Sequence, residues 1–385
     1  MSLYYGLSSP GEEAALIDFI NLVFSHDHRP HDFPTLLPKL YRPENFRPEH
    51  HYVAREDGHV RALVGAYPVE LRVLNETLRV RTVGAVSVHP YARRNGHMRR
   101  LMQSALEDMR RDNVDLSCLG GQRQRYQYFG YERAGVQTRF VVEPANLRHV
   151  LGPDAAAPYT FRQVGPADAE TLAAMRALHD RQPLFALRPE GLFYDALCSW
   201  DCTPYAVLEH GVFRGYCTAV RNREALCELV LDGEERLYPF LSAWFSAFAP
   251  NRLQLCVPVY QTERLAALYR LSEDYSVEQV EQCRIFCFAR VLRAFFGLKA
   301  SYAALADGAW TLAIADGERL RLTVAGGVPA VEPLPADAPC ALTLPPLEAT
   351  ALLFSTAGYT MGYALPPHVQ SWLPLPLFLP NQDGA

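Results

Sequence analysis

A short basic loop stands between a predicted strand and a predicted helix. It comprises Arg93, Arg94, Asn95 and Gly96, followed by His97. The apolar run Val83–Val88 predicts a strand that Pro90 ends, because proline has no N–H for a sheet ladder. From Met98 to Met109, apolar residues recur at the i, i+3, i+4, i+7 spacing of an amphipathic helix. A helix N-terminus has unpaired N–H groups and a partial positive charge, so this order predicts a site for a phosphate-bearing ligand.

A second segment, about thirty residues later, contains a candidate acid. Tyr126 opens the run Tyr126-Gln-Tyr-Phe-Gly-Tyr131, which follows a strand predicted over Val114–Leu119. A tyrosine hydroxyl, with a solution pKa of about 10, can protonate a departing thiolate. The chain has 20 Tyr and 19 Phe, so packing is the other interpretation of this aromatic residue. Two linked motifs are more specific than either one taken alone.

Together the two segments resemble the acetyl-CoA signature of the Gcn5-related N-acetyltransferases (GNAT). In that family an Arg or Gln, two residues and a Gly begin the helix that holds the pyrophosphate of coenzyme A. Arg93 and Gly96 take those places, and Tyr126 to Tyr131 resembles the family's closing Tyr-x-x-x-Gly-Tyr/Phe segment. The resemblance implies acetyl-CoA as cosubstrate, with the basic loop around its pyrophosphate at Arg93, Arg94, Asn95, Gly96 and His97.

Acyl transfer from a thioester to an amine sets chemical requirements that these residues can meet. The amine must be deprotonated, the tetrahedral oxyanion stabilised and the leaving thiolate held or protonated. A backbone N–H near Val86 or Val88 is a candidate for binding the thioester oxygen, because a splayed strand leaves donors free. Tyr126 is the candidate acid. Direct attack in a ternary complex suffices, so no cysteine nucleophile is required.

The amine acceptor is expected near the first predicted helix, whose apolar residues run from Ala15 to Phe24. In acetyltransferases this region commonly walls the acceptor pocket. We predict that Asp27, Asp32 and Phe33 help to line it, because carboxylates would hold a cationic amine. The acceptor's identity stays open between a small molecule, such as an aminoglycoside or a polyamine, and the amine of a lysine or protein N-terminus.

The histidines and cysteines do not predict a metal site. His26, His28 and His31 lie near two aspartates, but Pro30 interrupts any regular presentation of these side chains, which favours a polar turn. The nine cysteines include no C-x-x-C pair, and we expect them to be buried free thiols. No metal cofactor is therefore expected.

The composition limits the class of protein. A length of 385 residues, with 49% hydrophobic and 21% charged residues, predicts two or three domains with packed cores. The net charge of -5 does not favour a nucleic-acid partner. No uninterrupted apolar run is long enough to span a bilayer, and the first residues lack the pattern of a signal peptide. We therefore expect a cytoplasmic protein.

The fold class predicted from the elements is α/β, with mixed sheets. Strands Tyr52–Arg55 and Arg61–Val69 are predicted to form a hairpin through Asp57-Gly58, and a further strand is predicted over Val69–Leu74. We expect a catalytic acetyltransferase domain over 1–150 and, after the linker Gly152–Pro158, a degenerate acetyltransferase-like domain over 159–287. A sterol-carrier-like α+β domain is expected over 288–385.

The expected second domain lacks a pyrophosphate loop. Its corresponding segment, Val230–Arg236, contains acids where a phosphate requires donors. We therefore predict that this copy does not bind coenzyme A and supports the first.

The order of the three domains resembles the enhanced intracellular survival (Eis) subgroup of the GNAT family. That resemblance implies Tyr126 as general acid, the C-terminal carboxylate of Ala385 as general base, and a homo-oligomer, specifically a hexamer. Chains of the subgroup usually end in an aromatic residue, whereas this sequence ends in Ala385. The alternative function is an acyl-CoA-sensing or lipid-binding protein without turnover, in which the sterol-carrier-like domain carries a lipid.

Overall fold

The computed structural model describes residues 2–27, 29–152 and 158–385. His28 and residues 153–157 of the predicted linker lie outside the described residues. The chain forms two compact units. Unit 1 comprises Met1–Gly135, Gln279–Leu379 and Gly384–Ala385, and unit 2 comprises Val136–Glu278 and Pro380–Asp383. The division into domains 1–150, 159–287 and 288–385 stays a prediction.

The first segment of unit 1 contains the predicted strand, loop and helix. Its elements are β1 (Leu3–Leu7), α1 (Glu13–Asp27), α2 (Phe33–Leu36), α3 (Pro38–Tyr41), β2 (His51–Glu56), β3 (His59–Val73), β4 (Glu76–Val88), α4 (His97–Arg111), β5 (Leu116–Leu119), α5 (Arg123–Gln127) and β6 (Glu132–Ala134). The predicted helix is confirmed as α4, which buries its apolar face from Leu101 to Met109. The predicted hairpin is also confirmed: Asp57 and Gly58, with φ of 49° and 81°, turn the chain from β2 to β3.

One prediction for this segment is wrong. The two strands expected over Arg61–Val69 and Val69–Leu74 are a single strand, β3, which pairs with β4 along almost its whole length. The edge-to-edge pairing with β4 continues through Pro68, whose Cα partner is Arg81. The long pairing outweighs the local break that the sequence pattern indicated.

Unit 2 follows, and it contains both strands and helices. They are β7 (Gln137–Val142), α6 (Pro144–Leu151), β8 (Tyr159–Gln163), α7 (Ala169–His179), β9 (Leu184–Ala186), α8 (Phe193–Cys198), β10 (Cys202–Glu209), β11 (Val212–Val220), β12 (Ala225–Leu231), α9 (Leu237–Phe248), β13 (Leu253–Pro258), α10 (Thr262–Leu271) and β14 (Tyr275–Glu278). Its sheet has the order β14-β7-β13-β12-β11-β10-β8, in which only β12 and β13 are parallel among the described strands. The core between this sheet and α9 contains Phe240 and Trp244.

The chain then returns to unit 1 with a strand and a small second sheet. The elements are β15 (Glu281–Ile285), α11 (Phe288–Tyr302), β16 (Gly308–Ile314), β17 (Arg319–Ala325), β18 (Val328–Pro333), β19 (Leu342–Leu344), α12 (Pro346–Phe354) and α13 (Pro367–Trp372). The small sheet has the order β18-β17-β16-β19. Strand β18 was not predicted, because Pro329 and Pro333 obscure its pattern; it pairs on one side only, at the sheet edge where proline is tolerated.

The large sheet of unit 1 positions the predicted site. Its strands lie in the order β1-β2-β3-β4-β5-β15-β6. Neighbouring strands are antiparallel except β4 and β5, which are parallel. Val83 on β4 faces α4, in one apolar core with Met102, Leu119 and Tyr126. Side chains alternate along a strand, so Thr82 lies on the face of the sheet away from α4, as would any side chain at position 84. Helices α1 and α11 also contact β4.

Two further features bear on the predictions. None of the described helices is both long and apolar enough to cross a membrane. The described cysteines are free thiols, but their burial differs: Cys118, Cys202, Cys217 and Cys283 are buried, whereas Cys256 is exposed. The expectation of buried thiols therefore holds for only part of the set.

Candidate active site

The basic loop places an open helix N-terminus at the surface. Gly96 is the N-cap of α4 and has φ of 80°, a left-handed conformation that favours glycine. Arg94 is also left-handed, with φ of 72°. No side chain caps this end of α4. The first N–H groups of α4 therefore remain available to an anion, beside the exposed side chains of Arg93, Arg94 and Asn95.

His97 differs from the rest of the loop, because its side chain is buried. Its Nδ1 lies 2.8 Å from the Tyr5 hydroxyl, and its Nε2 lies 3.3 Å from a carboxylate oxygen of Glu56. The ring thus joins α4 to β1 and β2. Only the backbone N–H of His97 remains for the predicted contact with a pyrophosphate.

Arg93 already has an acidic partner in the structure. Its Nη2 lies 2.5 Å from Oδ2 of Asp27, at the end of α1. Hydrogen bonds from His26 and Arg93 hold the pKa of Asp27 below its usual value. Asp27, predicted as an acceptor ligand, therefore lies beside the basic loop.

Strands β4 and β5 separate where a thioester would need space. Their parallel pairing ends at Val83 and Leu119, although β4 continues to Val88. Between the pairs Gly65–Gly84 and Leu63–Ser87, β4 has one more residue than β3, which is a β-bulge. Ala85 in this bulge has φ of 50°. The bulge includes Val86, so the predicted N–H donor lies in the part of β4 that β5 does not cover.

Tyr126 lies on the α4 side of this opening. It is buried and belongs to the core between the sheet and α4. Burial raises its pKa above the ordinary value, and Arg125 offsets this in part, so the hydroxyl keeps its proton at neutral pH. A Cβ on Gly121 would lie 3.0 Å from the Tyr126 ring, so only glycine allows this approach without a shift.

The short helix α5 that carries Tyr126 is held by a buried carboxylate. Glu132 on β6 accepts hydrogen bonds of 2.6 and 2.7 Å from Nε and Nη2 of Arg123, and one of 2.7 Å from Gln127. Such a two-pronged pair fixes orientation as well as distance. Tyr126 lies between these two residues in the helix and is thereby positioned.

The last residue of the sequence lies on the other face of β4. An ideal Cβ added to Gly84 would come within 2.9 Å of the carbonyl carbon of Ala385. The ammonium of Lys39 donates a 2.7 Å hydrogen bond to the carbonyl oxygen of Gly384. Nearby, the Thr82 hydroxyl is buried and has no hydrogen-bond partner among the described residues. The predicted base therefore lies beside the separation of β4 and β5.

A chain of buried hydroxyls continues along this face. Tyr41 and Tyr67 are hydrogen-bonded through their hydroxyls, and the Tyr67 hydroxyl lies 3.1 Å from Nε2 of His51. Burial lowers the pKa of His51 to about 4, so the ring is neutral. Its Nδ1 donates to the Arg47 carbonyl, which leaves Nε2 as the acceptor for Tyr67. Tyr67 is the strand partner of Thr82.

The sequence reasoning missed Glu281 and Gln282, which β15 brings to the end of β5. Gln282 is the strand partner of Leu119, and its amide donates a 2.7 Å hydrogen bond to the Gly121 carbonyl. Burial raises the pKa of Glu281 to about 7. Its carboxylate forms no ion pair or side-chain hydrogen bond within the part of the chain that the structure describes. No local signal marks these residues, because 163 positions separate Leu119 and Gln282 (282 − 119).

The remaining predicted acceptor residues lie around α2. Asp32 is exposed and accepts a 2.7 Å hydrogen bond from Thr35. Phe33 is buried, with its ring edge-on to those of Phe24 and Tyr41. Phe33 thus packs against the ring of Tyr41. Within residues 2–27, 29–152 and 158–385, no three His, Cys, Asp or Glu side chains are grouped as metal ligands would be.

Solved structures share this architecture over nearly the whole chain. A probable N-acyltransferase from Enterococcus faecalis V583 has 14% identity and a TM-score of 0.67, with 91% of this chain and 89% of that chain covered. A GCN5-related N-acetyltransferase from Anabaena variabilis has 15% identity and a TM-score of 0.66, with 98% of each chain covered. Eis1 from Mycobacterium abscessus has 13% identity and a TM-score of 0.62, also with 98% of each covered. These likenesses are likenesses of fold.

The sequence comparison identifies the domain that contains the site. No curated protein matches the chain significantly. Residues 7–134 match the family described as "Acetyltransferase (GNAT) domain", a range that includes the basic loop, the bulge of β4 and Tyr126. Acetyltransferases of this family use acetyl-CoA as cosubstrate. The match covers about a third of the chain and supports an acetyltransferase (GNAT) domain within residues 7–134.

Proposed function

We propose that this protein is an acetyl-CoA-dependent N-acetyltransferase that acetylates a cationic amine by direct attack in a ternary complex. One observation carries the proposal. The pairing of β4 with β5 ends at Val83, with the uncapped N-terminus of α4 following on one side and the end of the chain at Ala385 on the other face. The arrangement provides an anion site, a gap between strands and a candidate base.

The residues present fit the cosubstrate. The N–H groups of α4 and the side chains of Arg93 and Arg94 would hold its pyrophosphate, and Gly96 leaves open space there, because a Cβ at Gly96 would meet no atom within 4 Å. Acetyl-CoA supplies an activated acetyl thioester. The exposed Asn95 and the backbone N–H of His97 complete the proposed pyrophosphate site, and the N–H groups near Val86 and Val88 would bind the thioester oxygen.

Each remaining step falls to a group of this chain. The carboxylate of Ala385 would take a proton from the attacking ammonium or amine, and Tyr126 would donate one to the leaving sulfur. Burial supports the role of Tyr126, because a phenol with a raised pKa remains protonated and can donate its proton to the leaving thiolate. Lys39 would hold the base in place through Gly384. The Thr82 hydroxyl, which lacks a partner among the described residues, is free to bind the amine as donor or acceptor.

The preference for a cationic acceptor rests on the carboxylates around the opening. Glu281 lies on β15 beside the end of β5, and the alternation of side chains along the paired strands places it on the same face of the sheet as Gly84. With the carboxylate of Ala385, this makes two acids for an acceptor with more than one amine. Aminoglycosides and polyamines have that property, as do lysine-rich peptides. Asp27 and Asp32 would act farther out, at the entrance.

We also propose the Eis-type arrangement as a whole. It consists of a catalytic acetyltransferase domain, an inert acetyltransferase-like domain and a sterol-carrier-like domain, in a cytoplasmic homo-oligomer, specifically a hexamer. In the inert acetyltransferase-like domain, Arg264 forms a 2.6 Å ion pair with Glu234 at the place where a phosphate-binding loop would be needed. The core of the third is filled by large buried side chains, including Phe295, Phe296, Phe354 and Trp372. This packing favours a structural role over lipid carriage.

The test is release of free thiol from acetyl-CoA with wild-type protein and a panel of aminoglycosides, polyamines and lysine peptides. Acceptor-dependent release, with the acetylated amine identified by mass spectrometry, is the expected result. Binding of acetyl-CoA without turnover on any of these amines, together with uptake of a fluorescent fatty acyl ligand, would contradict the enzyme proposal and favour a lipid-binding sensor.

A further inference from the structure

A groove of about 810 Å³ in unit 1 lies at the opposite end of α4 from the basic loop. It is bordered by the end of α4, the start of β5, the turn after α5, the end of β15, the start of α11 and the turn between β16 and β17. Helix α4 has 15 residues and is therefore roughly 22 Å long, and the basic loop lies at its other end. The groove is thus separate from the helix N-terminus that serves coenzyme A.

Two arginines lie against one aromatic ring inside this groove. The Cζ atoms of Arg110 and Arg284 lie 6.0 Å and 5.3 Å from the centroid of the Phe286 ring. Arg284 donates a hydrogen bond to the Phe129 carbonyl. Neither arginine forms an ion pair with an acid within residues 2–27, 29–152 and 158–385. Burial, and then the charge of Arg110, lower the pKa of Arg284.

The acids that border the groove do not neutralise these two arginines. Asp115 is paired with Arg290 at 3.2 Å and accepts a 2.7 Å hydrogen bond from the Arg79 N–H. Glu318 caps α11 by accepting from the backbone N–H groups of Phe288 and Ala289, at 2.5 and 3.1 Å. Asp316 is exposed at the tip of the turn between β16 and β17. Two like charges therefore remain together beside a partly buried ring.

We propose that this groove binds a nucleotide-sized ligand with a phosphate group and a planar ring. Guanidinium groups bind phosphate through paired hydrogen bonds, and an anion would relieve the repulsion between Arg110 and Arg284. The rings of Phe286 and Tyr128 line the groove. Arg99 covers one face of Tyr128, with its Cζ 4.8 Å from the ring centroid, so the other face of this exposed ring is the one available for stacking. The volume lies within the range of small-molecule sites.

The test is calorimetric titration of the full-length protein with adenosine monophosphate in the presence of saturating coenzyme A. Saturation excludes binding of the nucleotide at the coenzyme site. We expect one site per chain, with affinity lowered at least about tenfold in Arg110→Gln and in Arg284→Gln, because each loses charge-assisted hydrogen bonds. Arg111→Gln is the matched control: the same change, one residue along, at a side chain that pairs with Asp108 outside the groove.

Three results would overturn the proposal. The first is no binding of the nucleotide once coenzyme A is saturating. The second is binding that neither substitution at the groove weakens, and the third is binding of inorganic phosphate as tight as that of the nucleotide, which would remove the ring from recognition. If Arg284→Gln does not fold, Arg284→Lys, which keeps the charge, takes its place in the titration. Arg110 is exposed, so we expect its substitution to leave the fold intact.

Discussion

Only a glycine at position 84 leaves room for Ala385 beside β4: the carbonyl carbon and Cβ of Ala385 would lie 2.9 and 3.0 Å from a Cβ added there. Real Cβ contacts are essentially never that short, so one of the two residues must shift if Gly84 is replaced. Gly84 lies in extended backbone opposite Gly65, so an added methyl group would meet Ala385 without straining the strand itself. The position of the proposed base can therefore be tested with one methyl group.

Gly84→Ala is expected to lower kcat at least about tenfold, because a displaced carboxylate no longer reaches the amine. The KM for acetyl-CoA should change little, since the basic loop is untouched. Thiol release and a thermal melt would be measured together. Gly191→Ala is the control, because a Cβ there meets no atom within 4 Å. Unchanged turnover in Gly84→Ala would exclude the carboxylate of Ala385 as the base.

Tyr126→Phe is expected to lower kcat by about a hundredfold or more while acetyl-CoA still binds, because the substitution removes a proton donor and keeps the ring. Tyr128→Phe is the control: it removes the same hydroxyl two positions along, from a side chain that is 60% exposed. Stopped-flow thiol release and equilibrium binding of acetyl-CoA separate the two effects. Equal loss in both variants would contradict a catalytic role for Tyr126.

Asp27→Asn distinguishes two roles for this carboxylate. As the partner of Arg93 at 2.5 Å, Asp27 competes with a pyrophosphate, so its neutralisation should lower the KM for acetyl-CoA by a few-fold. As an acceptor ligand, it should instead raise the KM for the amine. Steady-state kinetics with each substrate varied in turn measure both constants. A change in neither would assign Asp27 to the surface alone.

Glu281→Gln should change how stability depends on pH. Burial raises the pKa of Glu281 to about 7, above the roughly 4.3 of an unfolded chain, so between these values the folded protein binds more protons. The free energy of unfolding contributed by this group therefore falls as the pH rises from about 4 to 7. The Gln variant should be more stable than wild type at pH 8, by roughly 3 to 4 kcal/mol, and equal to it at pH 4. Urea unfolding at both pH values would show this.

Arg188→Met should destabilise unit 2 by roughly 3 to 5 kcal/mol, because it leaves buried acids without their partner. Arg188 is buried and donates to Asp383 at 2.8 and 2.9 Å and to Glu228 at 2.8 Å. Arg221→Met is the control, since that side chain is 84% exposed, and its effect should stay within about 0.5 kcal/mol. The urea midpoint measures both. A shift of similar size in the two variants would contradict the role given to the buried network.

Local patterns predicted the parts of the site that local forces form. Helix α4 follows from the spacing of its apolar residues, and the β2–β3 turn follows from Asp57 and Gly58, because both need only neighbours a few residues apart. The open helix end at Gly96 belongs to the same class. Each of these features is determined by the conformational propensity of a short segment and by one buried face, so the local sequence is enough to predict it.

The missed features depend on contacts between distant segments. The burial that raises the pKa of Glu281 exists only after β15 has joined β5, and a one-dimensional pattern does not contain that pairing. The inward turn of His97 was missed for the same reason, because its partners Tyr5 and Glu56 lie elsewhere in the chain. The role proposed for Ala385 came from a resemblance, and its place beside Gly84 had no signal in composition or spacing.

The position of β15 between β5 and β6 limits how this sheet is made during translation. The family match ends at residue 134, yet the sheet includes residues 281–285. A nascent chain must therefore be extended by about 150 residues before the gap beside β5 closes, and until then two unpaired strand edges are open to other chains. Residues 1–135 expressed alone would keep those edges, so we expect this fragment to associate with other chains more readily than the full-length protein does.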